Sequence, residues 1–422
     1  MVVEQERAGS ESEVERRNFR AWVAHQAFYR IGWQFKMEAT MIAGLVSFLS
    51  DSAKIIGVYS TASSVGRWVG PVFTTPWIDR SPSKKRCLMW LWGAAVFCWA
   101  VGTLTLWTPL TADRTRTLWW FFIWYTLFFT FLGAVGVAQG ALLGKIVRAE
   151  RRGAALSRTH TLSGPPNLIA ILVVWALVRH GWFPAPRNYA LAFSITTLLF
   201  VLAGVGIASA REKPTDGRQS AAGFRKRLSY AGRMLRTNRD FRLLMWVQLA
   251  MGFGGAALSF YTAYGRQAGS IHESSVVLAT VLQVLLQTIT SSWLGNVADR
   301  KGNRIVICWM LLIEALTPVS AVLAATLFPG SPAFLIVYCL VGARFPLFQL
   351  LVNYLLEIVP EEDQALALGV INMRLAVTMP APLLFGAVVD WAGYAVAMLV
   401  AAGILAGSAV MALFLREPRV VG

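Results

Sequence analysis

The sequence predicts an all-α integral membrane protein, with twelve transmembrane helices in two six-helix bundles related as a parallel repeat. Three observations predict it. Of 422 residues, 56% are hydrophobic and only 14% charged, with a mean hydropathy of +0.54, whereas ordinary soluble domains carry about 25% charged residues. Apolar runs of about twenty residues, the length a helix needs to cross the hydrocarbon core, recur along the whole chain. The ten-residue alternation of a membrane barrel is absent, and a backbone in lipid must satisfy its own hydrogen bonds, so the runs read as helices.

Hydropathy places the spans of the first half at 20–49, 54–78, 87–109, 117–144, 156–180 and 188–209. Those of the second half fall at 241–265, 274–298, 305–328, 332–357, 366–389 and 394–415. Residues 1–19 form a polar tail without the pattern of a cleaved signal peptide, and 210–240 a polar linker between the halves 20–209 and 241–422. Within the linker, Phe224, Leu228, Ala231 and Leu235 recur at helical spacing beside Arg225, Lys226, Arg233 and Arg236. That pattern suits either a short amphipathic helix on an anionic inner leaflet or a solvated connector.

The net charge of +17 is explained by topology and needs no nucleic acid. With the N-terminus inside, 27 lysines and arginines fall on the inner side, counting Arg20 and Arg242 at the inner ends of their spans. Six fall on the outer side: Lys54, Arg114, Arg116, Arg179, Arg187 and Arg266. The bias places both termini in the cytoplasm, with a bacterial inner membrane as the expected location. Trp22, Trp77, Trp107, Trp119, Trp182 and Trp391 lie near span ends, as an interfacial belt would. The four cysteines, Cys87, Cys98, Cys308 and Cys339, lie in apolar runs without metal-ligand spacing and read as small buried residues. No metal or cofactor is expected.

An internal repeat supports the two halves. Phe19-Arg20, Gln26 and Gly32 match Phe241-Arg242, Gln248 and Gly254 at an offset of 222. Asp79-Arg80 matches Asp299-Arg300 at 220, and Ile146-Val147 with Glu150 matches Ile358-Val359 with Glu362 at 212.

The segment Gly295-Asn296-Val297-Ala298-Asp299-Arg300-Lys301-Gly302-Asn303-Arg304 resembles the loop signature of the major facilitator superfamily. The first-half copy, Thr75-Pro76-Trp77-Ile78-Asp79-Arg80-Ser81-Pro82, keeps Asp-Arg but lacks both glycines. The resemblance implies a secondary transporter in which the first, fourth, seventh and tenth spans line a central path. In physical terms, Asp79 and Asp299 suit the positive N-terminus of a facing helix. Arg300 and Arg304 can pair with Glu357, Glu361, Glu362 or Asp363, and Arg80 stands at the matching place in the first half. With Gly295 and Gly302, these residues form a candidate cytoplasmic gate. The alternative is simple positive-inside anchoring. Gly136-Val137-Ala138-Gln139-Gly140 resembles an antiporter motif in the fourth span but has glycine where arginine is usual, which argues against drug–proton exchange.

Ionisable residues inside spans are costly and so mark function. The first span carries Gln26, Arg30, Gln34 and Glu38 at four-residue spacing, a polar stripe suited to a water-filled cavity. Arg67, Arg344 and Arg374 complete the candidate substrate cavity, with Glu314 and Lys36 as further interior charges. Structural ion pairs, such as Glu38 or Glu314 with an arginine, are the competing reading. Five cations against two acids favour an anionic solute bound by arginine forks, and Glu38 is the candidate proton-coupling site. The expected function is secondary active transport of a small, anionic solute by alternating access, with a proton or sodium ion as the coupling ion. A monomer is expected, with the lipid bilayer and the solute as partners. The competing classes are a transporter-like receptor or scaffold, and an intramembrane enzyme, for which neither H-E-x-x-H nor a Walker-type loop is present.

Overall fold

The structure, a computed structural model, describes residues 2–50, 52–108, 113–147, 155, 158–159, 161–170, 172–173, 183–212, 224–268, 270–360 and 363–417. Among these the chain is almost wholly helical and contains no strand. Six described helices are long and apolar enough to cross a membrane: Lys84–Thr105, Arg114–Ile146, Arg187–Ala208, Arg239–Ser259, Asn303–Leu327 and Ala376–Ala412. The others are shorter or more polar. The protein is a multi-pass integral membrane protein. Phe73, Trp90, Trp293 and Trp391 stand exposed on it, which lipid would cover. Trp22 is buried beside His25 and Trp107 is half-buried, so neither is an exposed belt residue; Trp182 lies outside the described residues.

Contacts divide the chain into two compact units. The first comprises Met1–Met37 and Val65–Ala221. It holds α1 (Val2–Gln34), most of α3 (Ala53–Arg80), α4 (Lys84–Thr105), α5 (Arg114–Ile146) and α6 (Arg187–Ala208). Its core is aromatic: Trp92, Trp99, Phe128, Phe129, Phe193 and Phe200 are buried side by side. The second unit comprises Glu38–Ser64 and Ala222–Gly422. It therefore takes in a π turn (Glu38–Ile42), α2 (Ala43–Leu49) and the start of α3.

The second unit continues with α7 (Phe224–Thr237), α8 (Arg239–Gly254), a 3-10 turn (Gly255–Ser259) and α9 (Tyr261–Gln267). Then come α10 (Glu273–Lys301), α11 (Asn303–Leu327), a 3-10 turn (Pro332–Leu335), α12 (Ile336–Ala343) and α13 (Leu347–Ile358). The last are α14 (Gln364–Thr378) and α15 (Ala381–Ala412), the latter bent at Gly393 with φ of +83°. That bend falls between the last two predicted spans. The linker forms the expected helix, α7, but Tyr230, Ala231 and Met234 bury its apolar face in the core of the second unit, while Leu228 is 54% exposed. Protein covers the face that the sequence offered to lipid or water.

Candidate functional site

The first, seventh and tenth predicted spans are each broken part-way. α1 stops at Gln34 and helix resumes as the π turn at Glu38. α8 ends at the Gly254-Gly255 pair and tightens to 3-10, where two residues without Cβ weaken helical preference. α12 ends at Ala343 because Pro346 has no N–H to donate. Phe345 N takes the freed Gly342 carbonyl at 3.1 Å, and Leu347 N takes that of Arg344 at 3.0 Å. Breaks of this kind expose backbone and polar side chains where an unbroken helix would hide them.

The break in the tenth span presents Arg344. Its Nη1 donates to Glu314 Oε1 from α11, and Glu314 is 2% exposed. Glu314 Oε2 has no hydrogen-bond partner among the described residues. A small cavity adjoins the pair, lined also by Gly254, Gly255, Leu258, Tyr261, Thr317, Val341 and Leu405. Residues of α8, the 3-10 turn after it, α9, α11, α12 and α15 thus surround one ion pair, all within the second unit. Of the two acids proposed as arginine partners, Glu314 is the one that Arg344 holds.

The other cavity candidates are placed as follows. Gln26 and Arg30 are half-buried on α1, and Gln34 is buried with Oε1 unpartnered among the described residues. Glu38 lies beyond the break and in the second unit, so the stripe is not one continuous helical face. The Arg67 guanidinium sits 4.5 Å from the Phe129 ring centre. Lys36 is fully buried, its ammonium 3.5 Å from the Trp33 ring centre and 4.9 Å from that of Phe129. Such contacts stabilise a cation. The side chain of Arg374 lies outside the described residues.

Among the gate candidates, the side chains of Asp79, Asp299 and Arg300, and Glu362, also lie outside the described residues, and Gly295 falls within α10. Arg80 is exposed. Gly302 has φ of +86°, a left-handed geometry that favours glycine. Glu357 accepts from Asn303 Nδ2 at 2.9 Å. Arg304 does not engage an acid of the tenth span through its guanidinium, which donates to the Leu413 carbonyl at 2.6 Å, while its backbone N–H donates to Glu417 at 3.0 Å.

That last contact belongs to a pair of clamps that the sequence reading missed. In the first unit, Arg211 N donates to Asn18 Oδ1 at 2.7 Å. Glu212 accepts from Ser83 Oγ, Lys84 N, Lys85 N and Lys145 Nζ at 2.8–2.9 Å. In the second unit, Arg416 N donates to Asp240 Oδ1 at 3.2 Å and Glu417 caps α11 through Arg304 N. The signal was present: Arg211-Glu212 recurs as Arg416-Glu417, and Asn18 as Asp240. Burial opposes charge on Glu212, but the N–H groups of Lys85 and Lys84, the Lys145 ammonium and the Ser83 hydroxyl prevail and hold its carboxyl below the usual range.

Residues 266–422 match the family model of the Major Facilitator Superfamily. No curated protein matches the chain. Among solved structures, the nucleoside transporter NupG is similar at 14% identity and a TM-score of 0.62, covering 95% of this chain and 98% of that one. A POT family transporter in complex with 5-aminolevulinic acid gives 12% and 0.66, with 95% and 96% covered. The E. coli fucose:proton symporter FucP gives 16% and 0.56, with 96% and 98% covered. Residues 266–422 carry the likeness to the superfamily, and the chain as a whole shares the fold of these transporter structures. The Gln139 of the eroded antiporter-like motif is held in a structural network. Its Nε2 donates to His25 Nε2 at 2.8 Å, and His25 Nδ1 donates to the Ala203 carbonyl at 2.8 Å. With one ring nitrogen accepting and the other donating, this network assigns a neutral imidazole.

Proposed function

We propose that this superfamily protein is a secondary transporter that moves a small, anionic solute by alternating access, coupled to a proton. One observation carries the reading: Glu38–Ser64, which adjoin the first unit in sequence, pack inside the second unit. They are held there largely by hydroxyls. Thr280 Oγ1 donates to Thr40 Oγ1 at 2.6 Å and Ser259 Oγ to Ser60 Oγ at 2.9 Å, while within the segment Tyr59 Oη donates to the Glu38 carbonyl at 3.1 Å. Gly57 meets Pro382, and Gly386 meets Ala53, at distances where an added Cβ would lie 2.6 Å and 2.8 Å from the facing carbonyl oxygen. Neutral hydroxyl bonds contribute only about 0.5–1.5 kcal/mol each, so such a seam forms and parts at modest cost. By the charge bias this seam lies toward the outer side, and its closure is the inward-facing half of the cycle.

The anionic character of the solute rests on Arg30 and Arg344, and the unlike cargoes named for the structural neighbours leave it open to test. The test of transport is a reversible lock. In a background with Cys87, Cys98, Cys308 and Cys339 replaced, Thr40→Cys combined with Thr280→Cys forms a disulfide on oxidation. Solute-dependent flux in proteoliposomes then falls to the protein-free level and returns with reductant. Undiminished flux in the cross-linked protein overturns the reading.

A further inference from the structure

We infer that the Phe129 ring is a positioning post for transport: through Lys36 and Arg67 it pins both ends of the Glu38–Ser64 segment to α5. The inference rests on the transporter reading, in which that segment seats in the second unit, and it names what holds the segment's ends.

The chain leaves the first unit after Met37 and re-enters it at Val65. A cation stands beside each of these points. At the first, α1 has ended at Gln34, and Lys36 N donates to the Trp33 carbonyl at 3.2 Å. The turn folds the fully buried Lys36 side chain among the rings of Trp33, Trp99, Phe128 and Phe129. Its ammonium lies 3.5, 5.2, 5.1 and 4.9 Å from their centres. At the second, α3 crosses α5 backbone to backbone, which only residues without a Cβ permit. An added Cβ at Gly66 would lie 2.8 Å from Thr130 N, and one at Gly133 would lie 2.6 Å from the Arg67 carbonyl oxygen. Gly70 likewise leaves no room for a side chain against the Thr130 carbonyl. That close approach sets the Arg67 guanidinium 4.5 Å from the Phe129 ring centre.

One ring therefore meets a cation from each end of the segment. An aromatic face carries partial negative charge, and its attraction for a cation grows where water is excluded. Phe129 is fully buried, and Tyr125, Phe128 and Trp33 stand at steep angles to it with centres 4.8, 5.1 and 6.2 Å away. These neighbours fix the ring in place for both cations. A cation keeps the attraction anywhere within about 6 Å of the ring centre. Each end can thus tilt and stay attached, as a segment that seats and leaves must. Arg67 acquires a role that involves no solute, and the anionic reading, which rests on Arg30 and Arg344, is untouched.

The test needs no solute. In the cysteine-replaced background, two reporter pairs read the seating of the two ends. The first is Thr40→Cys with Thr280→Cys, the second Ser60→Cys with Ser259→Cys. The rate of disulfide formation on mild oxidation is measured for each in the purified full-length protein. Phe129→Leu is expected to slow both pairs about threefold or more. Lys36→Met is expected to slow chiefly the first pair, and Arg67→Met chiefly the second. Phenylalanine carrying one, two or three fluorines at position 129 keeps the ring's shape while withdrawing charge from its face. Both rates are expected to fall stepwise along that series, which also serves if Phe129→Leu does not fold. Rates that ignore fluorination, or slowing confined to one pair in every position-129 variant, overturn the inference. If the oxidised Thr40→Cys/Thr280→Cys protein transports freely while the rates behave as stated, the transporter reading fails and the anchor stands.

Discussion

His25 shows how a polar residue within a span can be structural. It is fully buried among Trp22, Tyr29 and Trp92, and both ring nitrogens are engaged, by Ala203 and Gln139. His25→Ala removes a ring from a packed cluster and leaves the Gln139 amide without its acceptor, at a cost of about 2–4 kcal/mol. The expected result is a lower thermal midpoint with unchanged solute affinity in the folded fraction, measured by fluorescence-detected unfolding with and without solute. Glu314 is the opposite case: one oxygen is bonded and the other is left without a partner among the described residues, beside a cavity. Both residues are ionisable types in apolar runs, and sequence alone gives them the same weight. The partner count separates them.

At the level of elements, the clamp after α6 ties the N-terminus of α4 to the end of α5 through one carboxylate. Glu212 is 3% exposed and lies at the positive end of α4, where an anion is favoured. Because its folded-state pKa is depressed, the ionised carboxylate stabilises the fold above its ordinary value of 4.5. That stability is lost as pH falls through the lower folded value. Glu212→Gln is therefore expected to cost about 2 kcal/mol at neutral pH, with the gap to wild type closing as pH drops below about 4. Denaturation midpoints across pH 3 to 8 check it. Glu417→Gln in the second unit should cost less, because Glu417 accepts from the single backbone donor Arg304 where Glu212 accepts from four groups.

For the whole molecule, the charge bias predicts an orientation that labelling can test. Trp391 is 86% exposed at the predicted outer bend, and Arg236 is exposed on α7 at the predicted inner side. In the cysteine-replaced background, Trp391→Cys in intact cells should react with a membrane-impermeant thiol reagent. Arg236→Cys should react only after permeabilisation. The reverse pattern refutes both termini being cytoplasmic. The compact units also differ from the sequence halves at this scale: the repeat marks out the halves, while contacts assign Glu38–Ser64 to the second unit. A conformational cycle that moves those residues between units would alter contacts without altering the repeat.

Composition and periodicity were enough to determine the class of fold, because a helix in lipid must carry its own apolar length and lysines and arginines mark one face of the bilayer. The candidacy of Arg344 was legible for the same reason, since a charge in mid-span stands out against its surroundings. Tertiary structure alone decided which acid meets that arginine. Glu38 and Glu314 are equivalent as residues, and only the approach of α11 to the α12–α13 joint selects Glu314. Likewise the Phe224–Thr237 helix was visible as an amphipathic pattern, but its occupant was not. An apolar stripe states that something covers it; only the fold shows that Tyr230, Ala231 and Met234 close on protein. Periodicity is a property of one segment, whereas an ion pair or a covered face belongs to two segments brought together by the whole chain.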